Sequence, residues 1–414
     1  MMTAYEAIVI GAGPAGSSAA ILLARAGRSV ALLEASPFPR RKVCGECIAA
    51  SNLPLLHALG LGAGLWRHAG PQLRRVALWH GEERIVAALP AAADGTAPWG
   101  CALAREHLDL LLLEQARASG ATVLQPYRAL AVRAGAGVGS CEVDAAGDGR
   151  LLTLRAPVVI RAHGSWQPPP ADGRPRSRER RGSDLLGFKA NFRDTTLESG
   201  LLPVLAFGGG YGGMVVAGDG LATLACCIRR VRLATWRHDG AAAGARAGEA
   251  IETLLRRDCR GVREALADAG RVGPWLAAGP LRPGVRLSGA RGSEFLIGNA
   301  AGEVHPIIGE GISMALQSAW LLCQELAACA DAFRSDAQGE IRRRQIQQRY
   351  AGRWRAHFSR RMRLAACLAH AAMRPGIAAP LLPLLRRTPA LLGIAARMSG
   401  KTRSAIAFMQ GSPS

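Results

Sequence analysis

Between Ala7 and Glu34 the chain reads as an apolar tetrapeptide, Ala7-Ile8-Val9-Ile10, then Gly11-Ala12-Gly13-Pro14-Ala15-Gly16. An Ala/Leu-rich stretch to Gly27 and a second apolar run ending at Glu34 follow. Strand, glycine turn, helix and strand in that order predict a βαβ unit at the head of the chain. Each glycine has a physical task. Gly11 permits the tight turn, Gly13 lets the backbone approach a pyrophosphate, and Gly16 lets the helix pack on the strand. The helix start at Pro14 and Ala15 favours the anion. Glu34 closes the second strand about 18 residues after Gly16, where a carboxylate can accept hydrogen bonds from a ribose. An adenine dinucleotide is therefore the expected ligand of this end.

With 414 residues the chain exceeds the roughly 100–200 residues of one domain, so other units must share it. Arg75–Trp79 and Arg84–Leu89 read as a strand pair outside the βαβ core. Arg105 to Gly120 has the apolar stripe of an amphipathic helix, with Leu108, Leu111, Leu112 and Ala116 on one side, and leads to a strand at Thr122–Leu124. The Pro/Arg-rich stretch Gln167–Arg181 reads as a linker. Leu185–Phe192, Leu202–Phe207, Met214–Ala217 and Ala222–Ile228 predict an antiparallel sheet, joined in part by a turn at Gly208–Gly213. Helices are expected at Gly248–Arg257 and Arg260–Ala269, and a long one at Gly309–Ala330. The dinucleotide-binding domain is thus expected to be discontinuous (1–73, 99–165 and 280–335). A β-sheet domain (74–98 and 166–279) is inserted, and a basic helical region (336–414) follows.

No run of about 18 uncharged apolar residues appears, so no spanning helix is expected. The start of the chain lacks a basic segment and cleavage site, which points to the cytoplasm. The formal net charge is +21, nearly all of it arginine, since the only lysines are Lys42, Lys189 and Lys401. Such a surface attracts anions. Nothing has the pattern of a nucleic-acid module, so nucleic acid is not an expected partner. The ten cysteines form no paired framework and read as reduced thiols. No metal site is expected.

Far along the chain, Phe295-Leu296-Ile297-Gly298-Asn299-Ala300-Ala301-Gly302 runs through Pro306 to Gly309-Glu310-Gly311 and a helix. Together the two glycine turns resemble the FAD fingerprints of the group A flavoprotein monooxygenase and geranylgeranyl reductase superfamily. The resemblance implies an α/β fold: a Rossmann-like FAD-binding domain, an inserted antiparallel β-sheet substrate domain and a C-terminal helical region. It implies FAD as cofactor, with Gly298 and Asn299 at the ribityl chain. It also sets Gly309, Gly311 and Ile312 at a helix start aimed at the flavin pyrimidine. Amides at a helix N-terminus stabilise the negative charge that grows at N1 and O2 on reduction. Arg41-Lys42-Val43-Cys44-Gly45-Glu46 looks like the basic segment and CGE turn of the reductase-like members. Arg105 matches their arginine that reaches FAD; by charge, Arg41 and Arg105 suit the pyrophosphate.

The chain departs from the family in four places. Asn299 stands where aspartate is usual. Ala162-His163-Gly164-Ser165 replaces an Asp-Gly motif, Tyr211-Gly212-Gly213-Met214-Val215-Val216 replaces the Tyr-x-Trp-x-Phe-Pro element of prenyl reductases, and the Trp-x-Trp-x-Ile-Pro signature of flavin halogenases is missing. Three residues are candidates for chemistry. Cys44 is a single thiol near flavin or substrate, His305 a titratable group beside the ring, and Lys189 a strand lysine facing substrate; each has a structural alternative, packing for Cys44, a loop role for His305 and a solvated strand position for Lys189. Arg342, Arg343, Arg344, Arg349, Arg353 and their neighbours are basic. The short apolar helices expected at Leu364–Ala372 and Ile377–Leu385, broken by Pro375, Pro380 and Pro383, combine with them as an interfacial membrane segment would, or as a helical cover over the sheet.

The leading expectation is an FAD-dependent oxidoreductase, a monooxygenase or reductase, acting on a hydrophobic, polyketide- or lipid-derived small molecule. NAD(P)H is the expected electron donor. Its rivals are a dithiol–disulfide flavoenzyme using Cys44 and Cys47, and a membrane-associated flavin electron-transfer protein.

Overall fold

The structure, a computed structural model, describes residues 2–92, 98–135, 137–165, 181–239, 244–287 and 294–398. The linker expected at Gln167–Arg181 lies almost wholly outside the described residues, as does Lys401.

The strand Ala7–Ile10 lies at the centre of a five-stranded sheet. Its order is Glu294–Leu296, Val158–Arg161, Ala7–Ile10, Val30–Leu33 and Thr122–Leu124, and every pairing is parallel. Its side chains explain the central place. Ala7 and Val9 pack into a core shared with the helices Pro14–Arg25, Arg105–Ala118 and Gly311–Ala327. Ile8 and Ile10 pack on the opposite face. A parallel strand buried on both sides needs this continuous apolar run rather than an alternating one. The opposite face is covered by a four-stranded sheet in the order Met2–Ala4, Arg150–Ala156, Cys141–Gly147 and Arg128–Ala134.

The inserted sheet has seven strands. Its order is Gly270–Leu281, Leu185–Arg193, Ala222–Arg229, Gly210–Val216, Leu201–Phe207, Arg75–His80 and Glu83–Ala88. It is antiparallel except where Leu201–Phe207 runs parallel to Arg75–His80. The helices Ala247–Asp258 and Arg260–Ala265 cover one face; the other faces the dinucleotide-binding domain.

One expectation about this sheet needs correction, and one strand is new. The glycines at Gly208–Gly213 are not all turn: the reversal is at Gly208–Gly209, and Gly210, Gly212 and Gly213 lie inside a strand. They are needed there for space. A Cβ on Gly210 would sit 2.2 Å from the Phe207 ring, and one on Gly212 would sit 2.6 Å from the Ala225 carbonyl oxygen. The edge strand Gly270–Leu281 was not among the strands expected. At an edge, proline and irregular register are tolerated because one side needs no ladder, and its pairing with Leu185–Arg193 shifts register twice.

The C-terminal region also differs. Leu364–Ala372 is no separate short helix but the end of a 36-residue helix, Ala337–Ala372. The next helix, Pro375–Arg387, starts at Pro375 and carries Pro380 and Pro383 within it. The long helix is part of the main core: Ile346, Tyr350, Trp354, Phe358 and Ala365 pack with the first-turn strand and helix residues. Among the described residues no single helix is long and apolar enough to cross a membrane.

Candidate functional site

A cavity of about 240 Å³ lies between the two glycine turns and the inserted sheet. Its cofactor end is built by close approach of backbone. Gly11 has φ +103° and donates its N–H to the Leu33 carbonyl at 2.7 Å. A Cβ there would fall 2.7 Å from the Ala162 oxygen, and one on Gly16 only 1.8 Å from the Gly11 oxygen. The turn therefore cannot carry side chains at those positions, and Pro14 opens the helix above it. Gly13, Pro14 and Ala15 line the cavity.

Glu34 is buried at the end of its strand. Its Oε2 accepts from the Ala12 N–H at 2.9 Å and from Arg40 Nη2 at 3.1 Å. Its Oε1 accepts from the Ser36 N–H at 2.9 Å and Arg40 Nη1 at 2.8 Å. A carboxylate offers about four acceptor sites, and here all are occupied, two by one guanidinium. A ribose reaching Glu34 must share it with, or displace, Arg40.

The basic segment supplies cations other than the one expected. Arg41 does not face the cavity; its Nε donates to Glu106 at 3.0 Å and the side chain is 38% exposed. Arg40 and Lys42, its neighbours, line the cavity instead, because consecutive side chains of an extended segment diverge. Arg105 lines it too, held by a two-pronged contact to buried Asp109 at 2.7 and 2.8 Å. Lys42 is lowered to about 8 by burial and by the neighbouring Arg40 and Arg105 charges. Three cations beside a glycine turn and a helix start are a seat for a pyrophosphate.

At the second turn, Gly298 (φ +57°) donates its N–H to Ser318 Oγ at 2.8 Å. Asn299 Nδ2 donates to Ser165 Oγ at 2.7 Å. Thus two of the departures from the family pattern, Asn299 and the His163-Gly164-Ser165 turn, touch each other. Gly309 (φ +67°) ends a short 3₁₀ turn, and Gly311 opens the helix Gly311–Ala327. Gly309, Gly311 and Ile312 all line the cavity. His163 lines it as well, with a buried Nδ1 that has no hydrogen-bond partner among the described residues. Burial and the Arg161, Arg286 and Lys42 charges lower its pKa to about 4, so it is neutral.

The CGE turn ties the two domains together. Glu46, with φ +57°, is buried and accepts from the Arg105 N–H at 2.8 Å, Lys189 Nζ at 2.5 Å and Thr223 Oγ1 at 2.7 Å. Lys189 is therefore neither a solvated strand lysine nor a group facing substrate. It is 2% exposed and ion-paired with Glu46. Cys44 is half-buried beside the Arg105 guanidinium and lines the cavity. Cys47 is buried and packs with Leu73, Ala102, Leu202 and Val215.

His305 also turns away from the cavity, although Val304 and Pro306 on either side line it. Its Nδ1 lies 3.1 Å from the Tyr211 hydroxyl. Burial and nearby His370 lower its pKa to about 4. The sheet wall of the cavity is apolar, with Leu202, Val204, Met214, Cys227 and Leu281 among its residues and Gly213 leaving space between them.

Arg40, Lys42, Glu46, His163 and Tyr211 were missed as site residues. Lys42 and Glu46 stand in the basic segment and CGE turn that the sequence marks as a whole, and Arg40 immediately precedes it; His163 and Tyr211 stand in stretches noted only for what they lack.

The residues around the first turn fit a dinucleotide on physical grounds: backbone that excludes any Cβ, a helix start, three cations and an orphan ring nitrogen. The geometry is that of a dinucleotide site, and comparison with known proteins makes the chain an FAD-dependent oxidoreductase. The family model for the FAD binding domain matches residues 4–196. The chain is 31% identical to a menaquinone reductase of Mycobacterium tuberculosis over 406 residues, 95% of this chain and 90% of that one. It belongs to the family of FAD-dependent oxidoreductases that includes this menaquinone reductase. Its fold is shared with the myxobacterial chondrochloren halogenase (TM-score 0.73, 21% identity, 99% of this chain and 92% of that one). It is also shared with a geranylgeranyl bacteriochlorophyll reductase-like protein of Thermoplasma acidophilum (TM-score 0.72, 18% identity, 99% and 96%).

Proposed function

We propose that the protein reduces a hydrophobic small molecule of the menaquinone class, with NAD(P)H as electron donor. The observation that carries this reading is the cavity's division: one end is glycine backbone and cation, and the sheet contributes only uncharged lining side chains. An apolar wall excludes water and holds an apolar molecule by area. The relative that matches nearly the whole length is a menaquinone reductase.

Gly11, Gly13, Pro14, Ala15, Gly16 and Glu34 would hold the adenosine and pyrophosphate end of FAD with Arg40, Lys42 and Arg105. Gly298, Asn299, Gly309, Gly311 and Ile312 would hold the flavin end. Bound FAD supplies the electron chemistry; the protein orients the cofactor, and the helix start at Gly311 favours added negative charge.

A membrane surface is the second part of the proposal. The helix Pro375–Arg387 has no buried residue and exposes Ile377, Leu381 and Leu384. The next helix exposes Ile394 and Met398. Arg374, Arg387 and Arg397 are exposed beside them. An apolar face with a basic border suits anionic lipid, the natural medium of such a substrate. Cosedimentation with anionic vesicles is expected, and Leu381→Asp with Leu384→Asp should abolish it.

The deciding experiment incubates purified holoprotein with NAD(P)H and a menaquinone without oxygen. A product carrying two added hydrogens supports reduction. No reduction, but a product with one added oxygen once air is admitted, would replace the reading with monooxygenation. Unchanged turnover in Cys47→Ser separates both from a dithiol mechanism.

A further inference from the structure

We infer that Tyr211 is the proton donor to the substrate and that His305 and His370 recharge it from solvent. This rests on the reading of the protein as a reductase. Tyr211 lies in the strand Gly210–Val216, is 1% exposed and lines the cavity beside Cys227 and Leu281. Its hydroxyl meets His305 Nδ1 at 3.1 Å. The His305 ring makes an edge contact with His370 (centroids 5.9 Å apart, 73° between planes). His370 stands exposed on the long helix, outside the cavity. Three titratable side chains thus run from the cavity wall to water through a protein layer that otherwise buries apolar groups such as Leu185, Ala206 and Ala369.

The hydrogen-bond roles suit a relay. His370 Nδ1 lies 2.7 Å from the Ala366 carbonyl. A carbonyl only accepts, so Nδ1 carries a proton and Nε2 is the nitrogen that exchanges with water. Burial, Cys227 and Glu303 raise the Tyr211 pKa well above its ordinary value, so the phenol rests protonated. The groups facing this pair are Cys227, Glu303 and His370; Arg282 donates its N–H and Arg286 its guanidinium to Glu303.

Reducing a carbon–carbon double bond or a quinone carbonyl adds one hydride and one proton. Reduced FAD, replenished by a nicotinamide nucleotide, would supply the hydride. The Tyr211 O–H bond breaks, and its proton joins the substrate atom left with the electron pair. Water first protonates His370 at Nε2; the phenolate then takes the proton on His305 Nδ1 as His305 takes the new one at Nε2 from His370. Each turnover consumes one solvent proton and returns Tyr211 and His370 to their starting states; His305 is left protonated at Nε2, and that proton must shift back to Nδ1 before the next turnover.

Tyr211→Phe and His370→Gln test this in the holoprotein. In Tyr211→Phe, flavin content and NAD(P)H-driven flavin reduction should stay within about twofold of wild type. Oxidation of the reduced flavin by substrate should slow about 100-fold and lose its solvent deuterium isotope effect. In His370→Gln the first turnover should be normal and later ones slow, with added imidazole restoring them. Histidine ¹⁵N spectra of the resting protein should show His370 protonated at Nδ1 and a His305 Nδ1 signal that moves in Tyr211→Phe. A Tyr211→Phe enzyme with wild-type rate and isotope effect overturns the inference. If the wild-type reduced flavin is not oxidised by any menaquinone, the proposed function fails; the spectra then decide alone, and a His305 signal indifferent to Tyr211→Phe overturns the relay.

Discussion

At the first glycine turn the cavity is walled by charge and bare backbone: Arg40, Lys42 and Arg105 stand with Glu34 and Asp109, and no Cβ fits at Gly11 or Gly16. At the sheet, Leu202, Val204, Met214 and Leu281 offer surface without charge, and small residues set the depth. Recognition at the first end is by directed hydrogen bonds and fixed spacing. At the second it is by area and shape, which many sequences satisfy. Substitutions should therefore be intolerable at one end and graded at the other.

The severest test is Gly16→Ala. With backbone oxygen 1.8 Å from the new Cβ, the helix must back away from the turn, which costs about 3 kcal/mol or more. FAD affinity is expected to fall at least about 100-fold, read as lost flavin absorbance in the purified protein. Next is the buried pair that joins the ends. Lys189→Met leaves Glu46 without its cation and should destabilise the protein by about 3–5 kcal/mol in urea unfolding. Adding Glu46→Gln should recover part of that loss, which a merely exposed lysine would not do.

Smaller effects separate neighbours. Arg40→Ala should weaken FAD binding about tenfold, since it faces the cavity, whereas Arg41→Ala should change it less than twofold; equal losses would sink the distinction. Lys42 sharpens the electrostatic side. Its folded pKa of about 8 is below the ordinary lysine value near 10.4. It is thus a cation below pH 8 and neutral above, and its burial strain on the fold is present below pH 8 and relieved as pH rises towards 10.4. FAD affinity should accordingly drop severalfold between pH 7 and 9, with proton uptake on binding near pH 8. In Lys42→Met the fluorescence-titrated affinity should be nearly flat across that range.

What could be read from the sequence follows the same division. Gly11, Gly13 and Gly16 signal through spacing alone, and Gly309-Glu310-Gly311 does so again nearly 300 residues later, because backbone approach to an anion leaves few alternatives. Arg41 was mistaken for its neighbours because three consecutive cations have the same composition whichever way each points; only the extended backbone decides. Lys189 was misjudged because a lysine in a strand normally reaches water, and its partner Glu46 lies 143 positions away. His305 sits in the expected turn, but the rotation of one side chain, set by Tyr211, was illegible. The run Gly208–Gly213 has the composition of a loop. It became a strand because neighbouring Phe207 and Ala225 occupy the volume where side chains would be.

The long helix Ala337–Ala372 spans roughly 54 Å at 1.5 Å per residue. Near its start Arg343 donates to the carbonyls of Ala332 and Gly139. Further on, the Tyr350 hydroxyl donates to Leu296 and the Trp354 ring covers Gly302, while Ala369 and Ala372 close the wall behind Tyr211. The first glycine turn is translated long before this rod, and the second shortly before it. The second turn cannot be clamped until the rod has emerged from the ribosome. Capture of the cofactor is therefore expected late in the life of each new polypeptide, and a chain truncated before Trp354 should retain no flavin.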